Sequence, residues 1–378
     1  MKAAVRAWAE LLRVSALFTV PGDALAGAAA LGRRPDRGTA LAVGASLCLY
    51  EAGMALNDWA DRDEDAIDRP HRPIPSGRIT PGAALAAAGA LTAAGLTLAA
   101  RAGRPALTVA TGLAATVWAY DLHLKHTQAG PAAMAAARAL DLLLGATATA
   151  TATAGTGAGY VGVERPVSAT TGASHAARSA GTVLPTRTAR ILRGARALGR
   201  ARAASPARSR GHARTTHPGV RAAVPAAALL GAHTYAVTAV SRHEAQGGST
   251  VAPLGALAAI VALGAAAVRE QRGSRGVPPV PGKSGPGDHH RPRPGAPAPR
   301  LLLTALTAAY LRTAAKPLLH ATLNPSPPLT QRAVGGGIRA MIPLQAVLAA
   351  RAGASGTGLA VMGLVPLARA LARKVSLT

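Results

Sequence analysis

The sequence predicts an all-α protein, a polytopic membrane bundle of about nine transmembrane helices. Of its 378 residues, 49% are apolar and only 2% are aromatic, and the apolar residues are gathered into long uncharged segments such as 82–100 and 251–268. These segments approach the length of about 20 residues that a helix needs to cross a hydrocarbon core of about 30 Å. Alanine, which dominates them, favours helix.

The predicted helices follow in chain order. Met1 to Arg13 is expected to be a basic amphipathic lead-in to the first span rather than a cleavable signal peptide. The single cysteine, Cys48, lies in the second span and permits no intramolecular disulfide, so it indicates no redox compartment. The apolar spacing places the nine spans at 14–32, 39–57, 82–100, 105–121, 131–153, 220–240, 251–268, 300–315 and 340–363.

The loops between these spans are of two kinds that alternate along the chain. Because a chain that crosses a membrane repeatedly places every second loop on the same side, we expect the polar, chemically specific loops to share one face and to form a single polar chamber. The bland or low-complexity loops are 33–38, 101–104, 154–219 and 269–299. The specific loops are 59–80, 122–130, 241–250 and 316–339.

The orientation follows from the positive-inside bias. Basic residues in the lead-in and in loop 59–80 predict cytoplasmic active-site loops in a multi-pass protein of the cell membrane. The opposite side also carries basic residues, but its longer insertion approaches the length of about 60 residues at which the bias stops counting.

The domain organisation is one membrane domain with two basic insertions. The net charge is +26, and segments 154–219 and 270–299 are rich in Arg, Ser, Thr, Gly and Pro without apolar periodicity, which predicts disorder. Arg193 to Arg214 lacks interleaved aromatic residues and a folded module, so we expect no specific nucleic-acid partner. Contact with anionic membrane lipid is the favoured role. The helical parts are 1–153, with the Asp-rich motif, 220–268, with the second motif region, and 300–378.

An acidic motif lies at the end of the second span, from Asn57 to Asp68. At about 100° per residue, four oxygen-bearing side chains fall within one stripe of a helix. Hard oxygen ligands of this kind suit Mg²⁺, which is usually held by one or two carboxylates together with phosphate oxygens of a substrate. A solvated acidic helix end is the alternative, but acidic groups at a membrane span indicate function. The predicted metal ligands are Asn57, Asp61, Asp65 and Asp68.

A proline-rich basic loop follows directly, with the sequence Arg-Pro-His-Arg-Pro-Ile-Pro-Ser-Gly from Arg69 to Gly77. The prolines end the helix and hold the loop extended. Arg69 and Arg72 then present guanidinium groups that suit phosphate oxygens.

Together, Asn-Asp-x-x-Asp-x-x-x-Asp and Arg-Pro-x-Arg-Pro-Ile-Pro-Ser-Gly resemble the first signature of the UbiA superfamily of intramembrane prenyltransferases. The resemblance covers the helical part of the chain. It implies a bundle around a central cavity that moves a prenyl group from its diphosphate to an acceptor, usually aromatic, with Mg²⁺ at two Asp-rich motifs. It also implies that Asn57, Asp61 and Asp65 bind Mg²⁺-diphosphate with support from Arg69 and Arg72.

Two further sites have basic residues that we expect to contact substrate. Lys125 resembles the family's basic contact to the diphosphate, although an interfacial lysine that marks a helix end would look the same. Arg138 and Asp141 are three residues apart and therefore face the same way. Inside a membrane span they either pair with each other or face the cavity, where Arg138 would bind substrate.

Loop 241–250, the sixth along the chain, departs from the family pattern. Glu244 is its only acidic residue, where a second Asp-x-x-x-Asp is expected. With Asn324-Pro325-Ser326-Pro327 and Met341-Ile342-Pro343-Leu344, this loop resembles the EboC-like subgroup of C-prenyltransferases, and the subgroup suggests a secondary-metabolite acceptor. We expect Glu244 to act at the site and Arg242 to bind diphosphate where the family uses a metal. His233 and His243 are candidate bases, although each could be structural.

The favoured function is prenyl transfer by ionisation, in which metal and basic side chains stabilise the departing diphosphate. The low aromatic content argues against it, because cation–π contacts would protect a cationic intermediate.

Two alternatives stay open. A phosphatidyl-type transferase shares the four-residue spacing of Gly53, Asn57, Asp61 and Asp65, but its upstream Asp-Gly-x-x-Ala-Arg is absent. A transporter or lipid-binding subunit could use the stripe for a coupling ion, although the sequence has no evident internal repeat.

Overall fold

The computed structural model describes residues 2–157, 218–243, 249–273, 297–367 and 370. All regular secondary structure in these residues is helical. A 3₁₀ turn at Val14–Thr19 and a π-helical turn at Tyr120–Leu124 accompany the α-helices. The α-helices are α1 (Lys2–Leu11), α2 (Pro21–Ala30), α3 (Arg37–Ala60), α4 (Arg62–Asp68), α5 (Pro81–Ala102), α6 (Arg104–Ala119), α7 (Gly130–Gly157), α8 (Pro218–Ser241), α9 (Val251–Gly273), α10 (Pro297–Leu323), α11 (Pro327–Arg351) and α12 (Ser355–Met362).

Six of the described helices are long and apolar enough to cross a membrane. They are α3, α5, α11 and the greater part of α7, α8 and α9. The predicted class, an all-α polytopic membrane bundle, is therefore confirmed.

The first predicted span, 14–32, is not one helix. It is divided into the 3₁₀ turn and the ten-residue α2. Pro21 begins α2 because proline has no N–H to donate to the preceding turn and its fixed φ suits the first helical position.

The predicted loop 316–339 is also wrong, because α10 continues to Leu323 and α11 begins at Pro327. Only 324–326 connect them. Prolines and polar residues suggested a loop, but Pro317 and Pro343 lie inside helices, and α11 is buried along most of its length. Packing therefore overrides local propensity here. α11 ends at Arg351, and Gly353, with a φ of 85°, separates it from α12.

Both predicted insertions begin and end in helix. The first loses 154–157 to the end of α7 and 218–219 to the start of α8, and the second loses 270–273 to α9 and 297–299 to α10. The predicted disorder otherwise concerns 158–217 and 274–296, which lie outside the described residues.

α3 carries the Asp-rich motif and packs against α5, α6 and α7. Its start is fixed by a capping box, in which the Asp36 carboxylate accepts from the Thr39 N–H at 2.9 Å and the Asp36 N–H donates to the Thr39 hydroxyl at 3.0 Å. Its last turn is followed at once by the short α4, so the motif is placed at the end of a buried helix.

α2 and α7 cross at very close range. A Cβ atom added to Gly27 would collide with the Leu142 carbonyl, and one added to Gly145 would collide with the backbone of Ala24. Small residues allow this approach in membrane bundles. The crossing brings the charged residue of α2, Asp23, against α7.

Candidate functional site

The Asp-rich motif is divided between two helices. Asp61 ends α3 and begins α4, with φ of −88° and ψ of 4°, so the four predicted ligands do not form one continuous stripe. Asn57 and Asp61 belong to the end of α3 and are partly buried, Asp65 is buried in α4, and Asp68 is exposed. The single-helix prediction missed this break.

Asp61 is held by two neighbours. The Lys125 ammonium group forms an ion pair with it, and the Asn57 Nδ2 atom donates to its other oxygen at 3.2 Å. The side chains of Asp61 and Lys125 are only 17% and 10% exposed. We call Asn57, Asp61 and Lys125 the Asp-motif cluster. Loops 59–80 and 122–130 thus meet on one face, as the alternation of loops predicted.

A chain of ion pairs lies behind this cluster. The Asp65 carboxylate accepts from Arg72 at 2.6 Å and from Arg69 at 3.3 Å, one guanidinium on each oxygen. Arg72 also reaches Asp58, at 3.3 Å, and Arg13 reaches the same Asp58 oxygen at 2.9 Å. Asp58 and Asp65 are buried, so they fix the guanidinium groups of the proline-rich loop.

Sequence reasoning missed Asp58 and Arg13. Arg13 adopts a left-handed conformation, with φ of 49°, in the connection between α1 and the 3₁₀ turn. Such strain persists where surrounding contacts compensate it. A second acidic residue within the motif was the available signal for Asp58, whereas no local pattern identifies Arg13 as its partner.

Asp121 was also missed. It lies in the π-helical turn after α6 and is buried. Gly53 of α3 faces the same turn, since a Cβ atom there would lie 3.8 Å from the Asp121 Oδ2 atom. An acidic residue at the end of an apolar helix was the signal.

Loop 241–250 contacts loop 122–130. Arg242 donates from its Nη1 atom to the Thr127 carbonyl at 2.6 Å, so it contacts backbone rather than the acidic residues. Glu244, the predicted acidic residue of this loop, lies outside the described residues.

The two candidate histidine bases differ. His233 is fully buried, and its two ring nitrogens lie 3.0 Å from the Tyr310 hydroxyl and 3.0 Å from the Gly337 carbonyl. These contacts give it a structural role between α8, α10 and α11. His243 is half-buried beside the Ala239 carbonyl.

Arg138 pairs with Asp141 at 3.7 Å, one of the two arrangements that the sequence left open, but its nearer partner is Asp23 of α2. Its Nη2 atom donates to the Thr19 hydroxyl at 3.1 Å. Thr19 and Asp23 precede or begin a helix that carries no recognisable motif, so sequence alone did not select them.

The residues around Asp61 fit a divalent cation. Ligand atoms of Asp61, Glu64 and His126 lie within 4.8 Å of one another. Asn57 uses its Nδ2 atom towards Asp61, which leaves its Oδ1 atom as a further oxygen ligand. Carboxylate and amide oxygens are the donors that Mg²⁺ prefers. Asp61 has Lys125 on one oxygen and Asn57 on the other, whereas Asp65 has an arginine on each of its oxygens.

Comparison with known proteins identifies the same part of the chain. Residues 15–171 match the sequence model of the UbiA prenyltransferase family. Digeranylgeranylglyceryl phosphate synthase of Methanopyrus kandleri is 36% identical over 128 residues, which cover 32% of this chain and 45% of that protein. The same synthases of Methanothrix thermoacetophila and Natronomonas pharaonis are matched over 22% and 34% of their length. This chain therefore spans less than half the length of these curated relatives.

Two solved structures share the fold. One, from work on digeranylgeranylglyceryl phosphate synthase in membranes, has a TM-score of 0.52 at 15% identity and covers 94% of this chain and 100% of its own. The other, a UbiA homologue from Archaeoglobus fulgidus bound to GPP and Mg²⁺, has a TM-score of 0.50 at 17% identity and covers 94% of this chain and 99% of its own. At these identities the likeness shows the fold alone.

Proposed function

We propose that this chain, whose residues 15–171 match the sequence model of the UbiA prenyltransferase family, is a membrane prenyltransferase that moves an isoprenoid group from a prenyl diphosphate to an acceptor with Mg²⁺. The observation that carries the proposal is the Asp-motif cluster. A carboxylate, an amide oxygen and an ammonium group from two separate loops converge at the end of one membrane helix. Mg²⁺ dependence agrees with the Archaeoglobus fulgidus homologue, which is bound to GPP and Mg²⁺.

Each residue has a defined part in this reaction. Asn57 and Asp61 would hold Mg²⁺ beside the diphosphate, with the predicted ligands Asp65 and Asp68 next in the chain. When bound, the metal neutralises charge that builds on the departing diphosphate. Lys125 adds positive charge at the same place, and Arg72, fixed by Asp58 and Asp65, adds a preorganised guanidinium. We assign Arg69 and Arg242 to diphosphate binding as well, and we keep Glu244 as a predicted acidic residue of the site.

Prenyl transfer breaks one bond and forms another. The bond between C1 of the prenyl group and the diphosphate oxygen breaks, and the diphosphate leaves with the electron pair. A carbon or oxygen atom of the acceptor forms a new bond to C1. The proton that the acceptor loses passes to the diphosphate or to water.

The identity of the acceptor is a separate proposal. The curated relative from Methanopyrus kandleri is named for a glyceryl phosphate product. The sixth-loop sequence supports instead an aromatic or secondary-metabolite acceptor and the EboC-like C-prenyltransferase subgroup. Analysis of the lipids and pigments that disappear when the gene is deleted distinguishes the two.

Diphosphate release tests the proposed activity. Membranes that contain the protein should release diphosphate from geranyl or farnesyl diphosphate only with Mg²⁺. An Asp61→Asn, Asp65→Asn double variant should release it roughly 100-fold more slowly or worse, because it loses carboxylate ligands for the Mg²⁺ that would neutralise the departing diphosphate.

Asp63→Asn is the matched control, because the Asp63 side chain is 87% exposed and pairs only with Arg62 among the residues described. Equal rates for wild type and the double variant would refute prenyl transfer. They would return the transporter and phosphatidyl-type alternatives to consideration.

A further inference from the structure

A groove of about 230 Å³ lies between α8 and α9, and we call it the α8–α9 groove. Its walls are apolar except for one arginine at the end of α11. They include Pro225, Ala228 and Ala232 of α8, Leu263 and Ala266 of α9, and Arg351 of α11. A guanidinium group therefore lines a depression that is otherwise hydrocarbon.

Small side chains leave this groove open. Ala228 and Ala232 are one turn apart on α8, Pro225 precedes them on the same side of the helix, and all three are exposed. A methyl group or a proline ring fills less of the space between two helices than the larger side chains of a close-packed interior. Because α8 and α9 are both candidate membrane spans, these exposed surfaces face the bilayer. The groove is therefore open to lipid from the side.

The groove lies at the end of the bundle opposite the Asp-motif cluster. Arg242 follows α8 and contacts loop 122–130, which carries Lys125, so this end of α8 lies with the cluster. Seventeen residues separate Arg242 from Pro225, or about 25 Å at the rise of an α-helix. The hydrocarbon core of a bilayer is about 30 Å thick. The groove therefore lies near the other boundary of the membrane, away from the site of prenyl transfer.

Arginines from three helices gather at this boundary. Arg351 is half-buried in the last turn of α11. Arg221 is four residues before Pro225 on α8, and Arg269 is three residues after Ala266 on α9, so each lies on the same side of its helix as a residue of the groove. Both are exposed. The apolar groove thus ends beside a group of guanidinium groups at the level of the lipid headgroups.

The neighbouring sequence is also basic. One insertion precedes α8 and the other follows α9, so both join the bundle at this end. Arginine is the main charged residue of both insertions, and their acidic residues are Glu164, Glu270 and Asp288. Basic segments at a membrane boundary attract anionic lipid. Charge complementarity therefore favours an anionic occupant over a neutral or cationic one.

The size of the groove limits what can occupy it. Pockets for drug-sized ligands measure about 300–1,000 Å³ and bury most of the ligand, whereas this groove is smaller and open on one side. It suits one segment of a long molecule whose remainder stays in the bilayer. Guanidinium groups bind phosphate through paired hydrogen bonds, and burial of an acyl chain against the apolar walls is favourable. An anionic phospholipid provides both groups in the required order.

We propose that the α8–α9 groove is a binding site for an anionic phospholipid. Arg351 binds the phosphate, and the apolar walls hold the first part of an acyl chain. Arg221 and Arg269 add the positive charge that selects an anionic headgroup. The site is separate from the proposed prenyl transfer, so the failure of either proposal leaves the other standing.

Lipid binding to the delipidated full-length protein in detergent tests the proposal, with native mass spectrometry as the measurement. Dioleoyl phosphatidylglycerol is compared with dioleoyl phosphatidylcholine, because the two share acyl chains and a phosphate but only the first has a net negative charge. The Kd of the first bound lipid should be lower for phosphatidylglycerol by about tenfold or more. Equal affinity for the two lipids overturns the proposal.

Two variants separate the groove from general attraction to a basic protein. Arg351→Gln removes the guanidinium group, and Ala232→Leu fills the groove without a change in charge. Each should raise the Kd of the first bound phosphatidylglycerol by about tenfold or more. Unchanged binding by either folded variant overturns the proposal. If one of them does not fold, the other decides together with the control.

Arg101→Gln is the matched control. Arg101 also lies in the last turn of its helix, where a basic residue interacts with the helix dipole. It belongs to α5, which starts after loop 59–80 and therefore ends at the same membrane boundary, but packs against α3, α6 and α7. Its substitution should change the Kd by less than about twofold. A loss equal to that of Arg351→Gln would show unspecific charge attraction and overturn the proposal.

Discussion

The two charged regions along α3 are built in opposite ways. The Asp-motif cluster and the ion pairs behind it draw mostly on residues 57–72, which are close in sequence, and several of their side chains are partly exposed. The buried network of Thr19, Asp23, Ser46, Arg138, Asp141 and Gln345 draws two residues from α7 and one each from the 3₁₀ turn, α2, α3 and α11, and it is almost enclosed. The first region can exchange its ion pairs for a ligand, whereas the second is fixed by packing and costly to disturb.

We expect the largest difference in stability between two variants that each remove one arginine, one from each region. Arg138→Leu leaves two carboxyl groups buried without their cation, and we expect the free energy of unfolding to fall by about 3–5 kcal/mol. Arg69→Leu should cost less than about 1 kcal/mol, because the Arg69 side chain is 50% exposed and Asp65 keeps Arg72. Unfolding in detergent micelles measures both. Equal losses would show that the two regions do not differ in this respect.

Packing beneath the buried network should have the next largest effect. Gly145→Val forces a side chain into the backbone of α2, so we expect a loss of about 3 kcal/mol and a weaker Asp23–Arg138 contact. Gly89→Val in α5 is the matched control, since a Cβ atom there meets nothing within 4 Å. The same unfolding measurement applies. A Gly145 variant as stable as the Gly89 variant would mean that α2 and α7 are not in close contact.

The smallest expected change in stability comes from the ion pair between Arg78 and Glu10, at the edge of the first region. Arg78 donates to both oxygens of Glu10, at 2.7 and 3.1 Å, and this contact lowers the pKa of Glu10. A lowered carboxyl pKa contributes stability that is present above the ordinary value and lost as the pH falls through the lowered one. Both side chains are more than one-third exposed, so solvent screening limits the contribution to less than about 1 kcal/mol.

Glu10→Gln should therefore lower stability slightly at neutral pH. It should also flatten the decline in stability below about pH 4.5. Thermal unfolding across that pH range, for wild type and Glu10→Gln, measures the effect. Parallel curves for the two proteins would contradict it.

Sequence reasoning recovered the regions that local patterns encode. The uninterrupted apolar segments predicted the helical membrane class, and the Asp-rich and proline-rich motifs located the candidate site. The alternation of loops placed Lys125 on the same face as Asp61, and the structure brings them into contact. It did not recover the break at Asp61, where a helix end is decided by packing.

Composition, apolar segment length and motif spacing by themselves determined the fold class and the acidic residues gathered at the end of α3, because these depend on neighbours in the chain. Tertiary structure alone decided that Arg13 reaches Asp58, and that Asp23 and Gln345 meet Arg138. Those contacts join residues far apart in sequence through helix crossings, and no local pattern specifies which helices cross or how closely. Glycines at the crossing of α2 and α7 permit the approach, but only the packed bundle shows which charges it brings together.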